Sequence, residues 1–599
     1  MIRRLRAAED GLAALVLAAM VALPLAEVVA RRLTGVGVPG AQPFVQHLTL
    51  WVGFLGAALA AREGRLLALA TTTYLPAGRP RTVARALAGA VGAAVAALLG
   101  LAACELVALT REAGTIVAAG VPAWATQLVL PAAFAAIALR LAWRAGPPAA
   151  ARAAAALAIA LGAALWWAGP RLAGAPAWPG LLALAAGALA GTPIFAILGG
   201  VAAWLDLVGD VPPAAILVET YALSVSPTLP AIPLFTLAGL ALAEGRSSER
   251  LLRVFRACFG WLPGGTAVVC AFLCSFFTVF TGGSGVTILA LGGLLLPALL
   301  RDGYRERFSL GLLTASGSLG LLLPPALPLI VYGVVAQVPI EDLFLGGVLP
   351  GLLMTSLIAA WGVREGLRNR TPRAPFVARE AARALWDAKW ELLLPAVVLG
   401  ALLGGFATPV ESAALAALYA LVVQGLVHRD LGPRDLVRVL AQCVVLVGSV
   451  LVILCVAVGL TGWMVDAQVP ARLLEWTRAH VDSRWVFLLG LNGFLLVVGC
   501  LMDIFSATVV VVPLVVPIAA AYGVDPIHLG ILFIANLELG YLTPPVGLNL
   551  FLASQRFERP LLTVARAALP MLAILALGVL LITYVPWLTT ALVRWTGAH

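Results

Sequence analysis

The sequence predicts an all-α polytopic membrane protein built around an inverted structural repeat, and three observations carry that expectation. Of its 599 residues, 62% are hydrophobic and only 11% are charged, whereas a soluble chain carries roughly 25% charged residues. The mean hydropathy is correspondingly high, at +1.02. The second observation is a repeat. Pro297 … Gly303 … Gly320-Leu-Leu-Leu-Pro324-Pro325 returns as Pro517 … Gly523 … Gly540-Tyr-Leu-Thr-Pro544-Pro545, every named Pro and Gly displaced by 220 positions. Upstream, Leu237-Ala-Gly239-Leu240 and Ala457-Val-Gly459-Leu460 keep the same offset. The third is that Gly and Pro interrupt long apolar segments at matched places in both copies. Such paired interruptions are the sequence pointer to the binding site of a secondary transporter.

The elements follow in order. Residues 1–145 read as four membrane helices, about 11–30, 45–61, 84–108 and 126–142, each near the ~20 residues a bilayer demands. Met1-Ile-Arg3-Arg4-Leu-Arg6 precedes an apolar run too long for a signal peptide, which ends in Arg31-Arg32 without a cleavage site. It is expected to be a retained first helix with a cytoplasmic N-terminus. Arg62-Glu-Gly-Arg65, Arg79 to Arg85 and Arg140 to Arg144 then fall on the cytoplasmic side, as positive-inside placement requires. Residues 146–176 form a linker: a Gly146-Pro147-Pro148-Ala149 stretch and an extra membrane helix, 153–169, with Trp166 and Trp167 at an interface.

Residues 177–599 hold the two copies, about 177–363 and 389–588, joined by a connection, 364–389, with six arginines and Lys389 against three acids. Further cytoplasmic markers are Arg246, Arg250, Arg253 and Arg256, then Arg301, Arg305 and Arg307. Segment 307–334 must therefore run outward, while 527–553 runs inward to Arg556, so the copies are inverted. Each copy also has a stretch that enters and leaves on one face. The first, 260–300, is interrupted at Thr281-Gly282-Gly283-Ser284-Gly285. The second, 485–521, is interrupted at Gly499-Cys500-Leu-Met-Asp503. These are expected to be re-entrant hairpins, and the Pro-Pro segments broken helices. Irregular backbone at membrane depth survives only buried in protein or lining a water-filled cavity.

Composition excludes several functions. Arginines sit in short connections instead of forming one basic face, which argues against nucleic-acid binding. Lys389 is the only lysine, so no Gly-x4-Gly-Lys-[Ser/Thr] phosphate loop exists, and no ATP hydrolysis is expected within the chain. Seven cysteines read as core packing, and five scattered histidines give no metal or catalytic spacing. No enzyme constellation is visible.

With these residues in view, the chain resembles the membrane component of a tripartite ATP-independent periplasmic (TRAP) transporter with fused small and large permease subunits. The large-subunit resemblance rests on Ala231-Ile-Pro-Leu-Phe235-Thr-Leu-Ala-Gly239, Leu262-Pro-Gly-Gly265, Leu323-Pro-Pro-Ala-Leu-Pro-Leu-Ile-Val-Tyr332-Gly, Ala407-Thr408-Pro409-Val-Glu411 and Gly499-Cys-Leu-Met-Asp503. The strongest motif is Gly530 … Gly540-Tyr-Leu-Thr543-Pro-Pro-Val-Gly547-Leu-Asn549-Leu-Phe551. The small-subunit resemblance rests on four helices, Trp51 … Gly56 and Arg62-Glu-Gly-Arg65. It implies sodium-driven import of an organic acid delivered by a periplasmic substrate-binding protein, through a bacterial inner-membrane permease of elevator type, with no ATPase subunit. Three departures concern specificity: the hairpin tip reads Gly283-Ser284-Gly285, Ala326 stands where Ser is frequent, and Arg65 replaces a usual His. The particular acid is therefore not carried over.

A broken helix offers carbonyls at one half's C-terminal end, suited to Na+, and N–H groups at the other half's N-terminal end, suited to a carboxylate. Two cages are expected: Gly282, Gly283 and Ser284 with Gly320 and Pro324, and Gly499 and Asp503 with Gly540, Thr543 and Gly547. Candidate substrate contacts are Ser284, Asp503, Ala326 and Asn549. The competing reading is that these Gly and Pro residues only permit kinks and close helix packing. Asp503 within an apolar segment points to function, and it also suits the N-cap of a helix starting at Ile504. Glu411 after Thr408-Pro409 reads as a helix start, and Glu27 with Arg31 as an i,i+4 pair. The alternative function is a binding-protein-independent, ion-coupled anion transporter of related fold.

Overall fold

The computed structural model describes residues 2–68, 78–146, 149–373, 375–544 and 547–596, with the side chains of 2–5 and 280 excepted. Among these residues the chain is almost wholly helical, apart from a small antiparallel ribbon, Ile116–Ala118 with Val121–Pro122. Twelve helices are long and apolar enough to cross a membrane, or up to thirteen if a bent pair counts as one span. The chain divides into two compact units, Met1–Pro233 with Leu440–Arg472, and Leu234–Val439 with Leu473–His599.

In the first unit, Ile2–Thr34, Ala41–Glu63, Arg79–Ala113 and Val129–Arg144 form the four predicted helices, and Ala149–Trp167 packs along Arg79–Ala113. Association of helices in lipid rests on close packing and polar contacts, because lipid removes the hydrophobic drive. Both are present. A Cβ on Gly56 would lie 2.1 Å from the Val444 carbonyl oxygen, so only Gly allows that crossing. Pro43 O can only accept, so His47 donates to it through Nδ1 (2.7 Å) and accepts the Tyr221 hydroxyl at Nε2 (2.8 Å). Thr220 donates to Cys455 O at 3.0 Å. Glu27 accepts the Val38 N–H at 2.5 Å, closing the turn after the first helix. One sequence expectation fails: Cys104 is exposed on its helix, so it is not a packing residue.

The second unit holds the hairpins and broken helices. In the first copy, Gly265–Thr281 and Ser284–Arg301 form a helix pair joined by two glycines. Gly282 takes φ +63°, a left-handed C-cap in which its N–H returns to Thr278 O, and this ends the first arm. Glu306–Ser316, a 3-10 turn at Leu319–Leu322 and Leu327–Ala336 form the broken helix, bent by 46°. In the second copy the pair is Arg484–Leu501 and Ile504–Ala521, and the broken helix is Pro526–Gly540 with Leu548–Arg556. All four interruptions lie where the sequence places them. Pro545 of the repeat motif lies outside the described residues.

The copies interlock reciprocally. Ser284–Arg301 packs against Leu548–Arg556, and Ile504–Ala521 packs against Leu327–Ala336. Each outgoing hairpin arm thus meets the far half of the other copy's broken helix. The incoming arms stay within their own copy, Gly265–Thr281 on Leu319–Leu322 and Arg484–Leu501 on Pro526–Gly540.

Beside this core, Thr408 and Glu411 form a reciprocal capping box that starts Pro409–Val422, as the Thr-Pro-x-Glu pattern implies. Arg250, one of the expected cytoplasmic markers, is buried on Ser247–Phe259. Its guanidinium bonds Glu391 at 2.6 Å, Asp430 at 2.9 Å and Gln424 at 3.2 Å. Burial works against the Asp430 carboxylate, yet the Arg246 N–H (3.0 Å) and the Arg250 charge hold its pKa below the usual carboxylate range.

Candidate functional site

In the first copy the hairpin packs against the helix break. Gly282 abuts Leu327, a Cβ there falling 2.9 Å from Leu327 Cβ. Gly320 lies hard against the incoming arm, its would-be Cβ 2.1 Å from Ser275 O. Pro324 belongs to the break itself, where the N–H groups of Leu323 and Ala326 bond Gly320 O and Leu323 O. Ala326 is wholly buried. A set of hydroxyls that sequence reasoning passed over joins hairpin to break. The Thr278 hydroxyl lies 2.8 Å from Cys274 O and 2.9 Å from Gly317 O and meets Thr287 Oγ1 at 2.8 Å, and Thr281 meets Thr287 at 3.3 Å. The Ala315-Ser316-Gly317-Ser318 run, small and polar inside an apolar helix, was a readable signal for this region.

In the second copy the hairpin tip and the break also meet. Gly540 and Gly499 touch backbone to backbone, a Cβ on Gly540 falling 2.5 Å from Gly499 Cα. The Gly547 N–H bonds Cys500 O at 3.2 Å, tying the break to the hairpin tip. Thr543 donates its hydroxyl to Leu539 O at 3.0 Å. Asp503 is an N-cap: Oδ2 accepts Phe505 N–H (3.0 Å) and Ser506 N–H (3.1 Å), and Oδ1 accepts the Ser506 hydroxyl (2.5 Å). The adjacent Ile504 N–H donates to the Tyr541 hydroxyl at 2.7 Å. For Gly320, Gly499 and Gly540, close packing is demanded by the contacts themselves.

The side chain of Asn549 leaves its own break. From Leu548–Arg556 its side-chain NH2 reaches Thr314 O and Ser318 Oγ of the first broken helix, each at 3.3 Å. Its backbone N–H meanwhile bonds Tyr541 O at 3.2 Å, so Asn549 links the two breaks. Glu538 is the residue that the sequence reading missed. It is 1% exposed on Pro526–Gly540, two positions before the quoted Gly540.

The chemistry of a cation site can be tested on these atoms. Ser284 Oγ, Ser316 Oγ and Asn549 Oδ1 are buried and meet no hydrogen-bond partner among the described residues. Buried oxygens without partners are costly, and oxygen-rich surroundings at a helix break suit a hard monovalent cation or the donors of a polar solute. The donor set fits Na+.

Comparison with known proteins gives consistent matches. The family model of the tripartite ATP-independent periplasmic transporter DctM component matches residues 180–588, and that of the DctQ component matches residues 20–146. The C4-dicarboxylate TRAP transporter large permease protein DctM of Vibrio cholerae is 35% identical over 385 residues, 61% of this chain and 85% of that protein. The isethionate TRAP transporter permease protein DctMQ of Oleidesulfovibrio alaskensis is 35% identical over 364 residues, 59% of this chain and 56% of that protein. Among solved structures, the Alcanivorax borkumensis YdaH transporter matches with a TM-score of 0.45 at 16% identity, covering 62% of this chain and 87% of that one.

Proposed function

The chain belongs to the tripartite ATP-independent periplasmic transporter family, carrying matches to both permease components on one polypeptide, and from that premise we propose that it imports an organic acid by sodium symport. It is a transporter permease and not an enzyme. The related permeases of Vibrio cholerae and Oleidesulfovibrio alaskensis are named for a C4-dicarboxylate and for isethionate, so the proposed substrate is a small organic anion. A periplasmic binding protein delivers it, and the permease sits in a bacterial inner membrane with its N-terminus in the cytoplasm, as the arginine placement supports.

The observation that carries this reading is the meeting of a hairpin tip with a helix break in each copy. Around the first of these breaks, Ser284, Ser316 and Asn549 leave buried oxygens unpartnered. In this reading Gly282, Gly283, Ser284, Gly320 and Pro324 hold one Na+, and Gly499, Asp503, Gly540, Thr543 and Gly547 hold another. Bound sodium supplies positive charge that offsets the incoming anion. Ser284 and Asn549 orient the substrate, and Ala326 leaves room where a hydroxyl is frequent in the family. Asp503 fixes the start of Ile504–Ala521 and keeps a negative charge beside the second cage. All four interruptions belong to one compact unit, while the four N-terminal helices belong to the other. That division supports an elevator-like movement of the first against the second.

The test is uptake into proteoliposomes. An inward Na+ gradient should drive accumulation of a radiolabelled dicarboxylate or sulfonate only when the cognate binding protein is present. Uptake indifferent to the binding protein would favour the direct anion transporter, and uptake driven equally by a K+ gradient would remove sodium coupling.

A further inference from the structure

Glu538 is buried on the second broken helix and has no task in the proposed transport. Its helix, Pro526–Gly540, packs against both hairpin arms of the second copy, against the Leu319–Leu322 turn of the first break, and against Leu327–Ala336. The carboxylate is buried, and neither oxygen meets a hydrogen-bond or ion-pair partner of good geometry among the described residues. Glu538 therefore sits on a helix that packs against the break of the first copy and the hairpin of the second.

The repeat sharpens the point. At the 220-residue offset, Glu538 corresponds to Ser318, as Gly540 corresponds to Gly320. Ser318 is neutral and accepts the Asn549 side chain at 3.3 Å. The second copy thus adds one negative charge that the symmetry of the fold does not require. Asp503, the other acid of this region, already gives its oxygens to three donors. A carboxylate at membrane depth is costly unless something neutralises it. Nothing in the described protein supplies the positive charge.

We propose that Glu538 is the counter-charge of the coupling cations, holding the positive charge of Na+ bound at the two flanking breaks. The inference rests on the sodium reading given above and extends it: the breaks supply oxygens, and Glu538 supplies the charge. The ligand class is a monovalent cation.

The test compares wild type with Glu538→Gln, which keeps shape and removes charge, by thermal unfolding of purified protein over a titration of NaCl against choline chloride at constant ionic strength. The wild-type midpoint should rise with Na+. The Gln variant should be at least as stable as wild type without Na+, and should need at least tenfold more Na+ for the same rise. A merely structural role would move both ends of the curve downward together and would overturn the proposal. A Gln variant with the wild-type Na+ curve also overturns it, and loss of a pH response alongside would assign the cation as a proton. Should wild type itself not respond to Na+, the sodium reading fails first and this inference with it. Glu538→Ala repeats the comparison if Gln does not fold, and Glu538→Asp should restore most of the Na+ response.

Discussion

Replacing Asp503 by Asn separates its helix cap from the charge proposed for the second cage. As an N-cap, Asp503 accepts two backbone N–H groups through Oδ2 and the Ser506 hydroxyl through Oδ1. Asn caps nearly as well as Asp, because its carbonyl oxygen can take the Oδ2 position. Its NH2 then faces Ser506 Oγ, which can accept instead of donate. The fold cost of Asp503→Asn should therefore stay below about 1 kcal/mol. Asp503→Ala loses the cap outright and should cost about 0.5–2 kcal/mol, with the Ser506 hydroxyl left unpaired as well. The charge is lost in both variants. If the second cage needs it, Na+-driven uptake in proteoliposomes should fall severalfold or more in both, while unfolding of detergent-purified protein separates them. Asp503→Asn transporting at the wild-type rate would remove the carboxylate from the mechanism. Asp503→Asn as unstable as Asp503→Ala would refute the cap geometry.

The other expectations are shorter. Arg250→Met strands Glu391, which is fully buried, and should destabilise by about 3–5 kcal/mol; a Glu391→Gln variant measured beside it should cost less. Asp430 has a lowered folded pKa, so its contribution is present above the unfolded value of about 3.9 and is lost as pH falls through the folded one. Stability measured from pH 6 downward should fall less steeply in Asp430→Asn, and an unchanged slope would contradict that ion pair. Gly540→Ala places a methyl 2.5 Å from Gly499 Cα, forcing the break away from the hairpin tip. It should abolish uptake, whereas Gly523→Ala, with nothing within 4 Å but φ +67°, should cost stability alone.

Much of the architecture was legible because it depends on local chemistry. A bilayer requires long apolar runs, and Gly282 or Asp503 marks a helix end through its own backbone or side chain, so hairpins, breaks and the Thr408–Glu411 box could be placed from sequence. What the sequence could not show is lateral. Periodicity along one segment does not reveal that Asn549 crosses to the first broken helix, nor that Arg250 turns inward to Glu391. Cys104 on an apolar helix looks buried until its neighbours are known. Glu538 is a different case, for the rule that singles out an acid within an apolar segment applies to it as it does to Asp503. The Thr278, Thr281 and Thr287 hydroxyls were hidden because a Thr in an apolar helix usually bonds its own preceding turn.

The central claim is that helix breaks bring oxygens together to hold sodium, and its most direct test is thermal unfolding of the purified wild-type protein in NaCl against KCl at equal ionic strength. A site filled to ten times its dissociation constant adds roughly 1.4 kcal/mol to the folded state. A midpoint raised by Na+ and not by K+ is the predicted result. Identical midpoints in the two salts, with and without the organic acid, would contradict it.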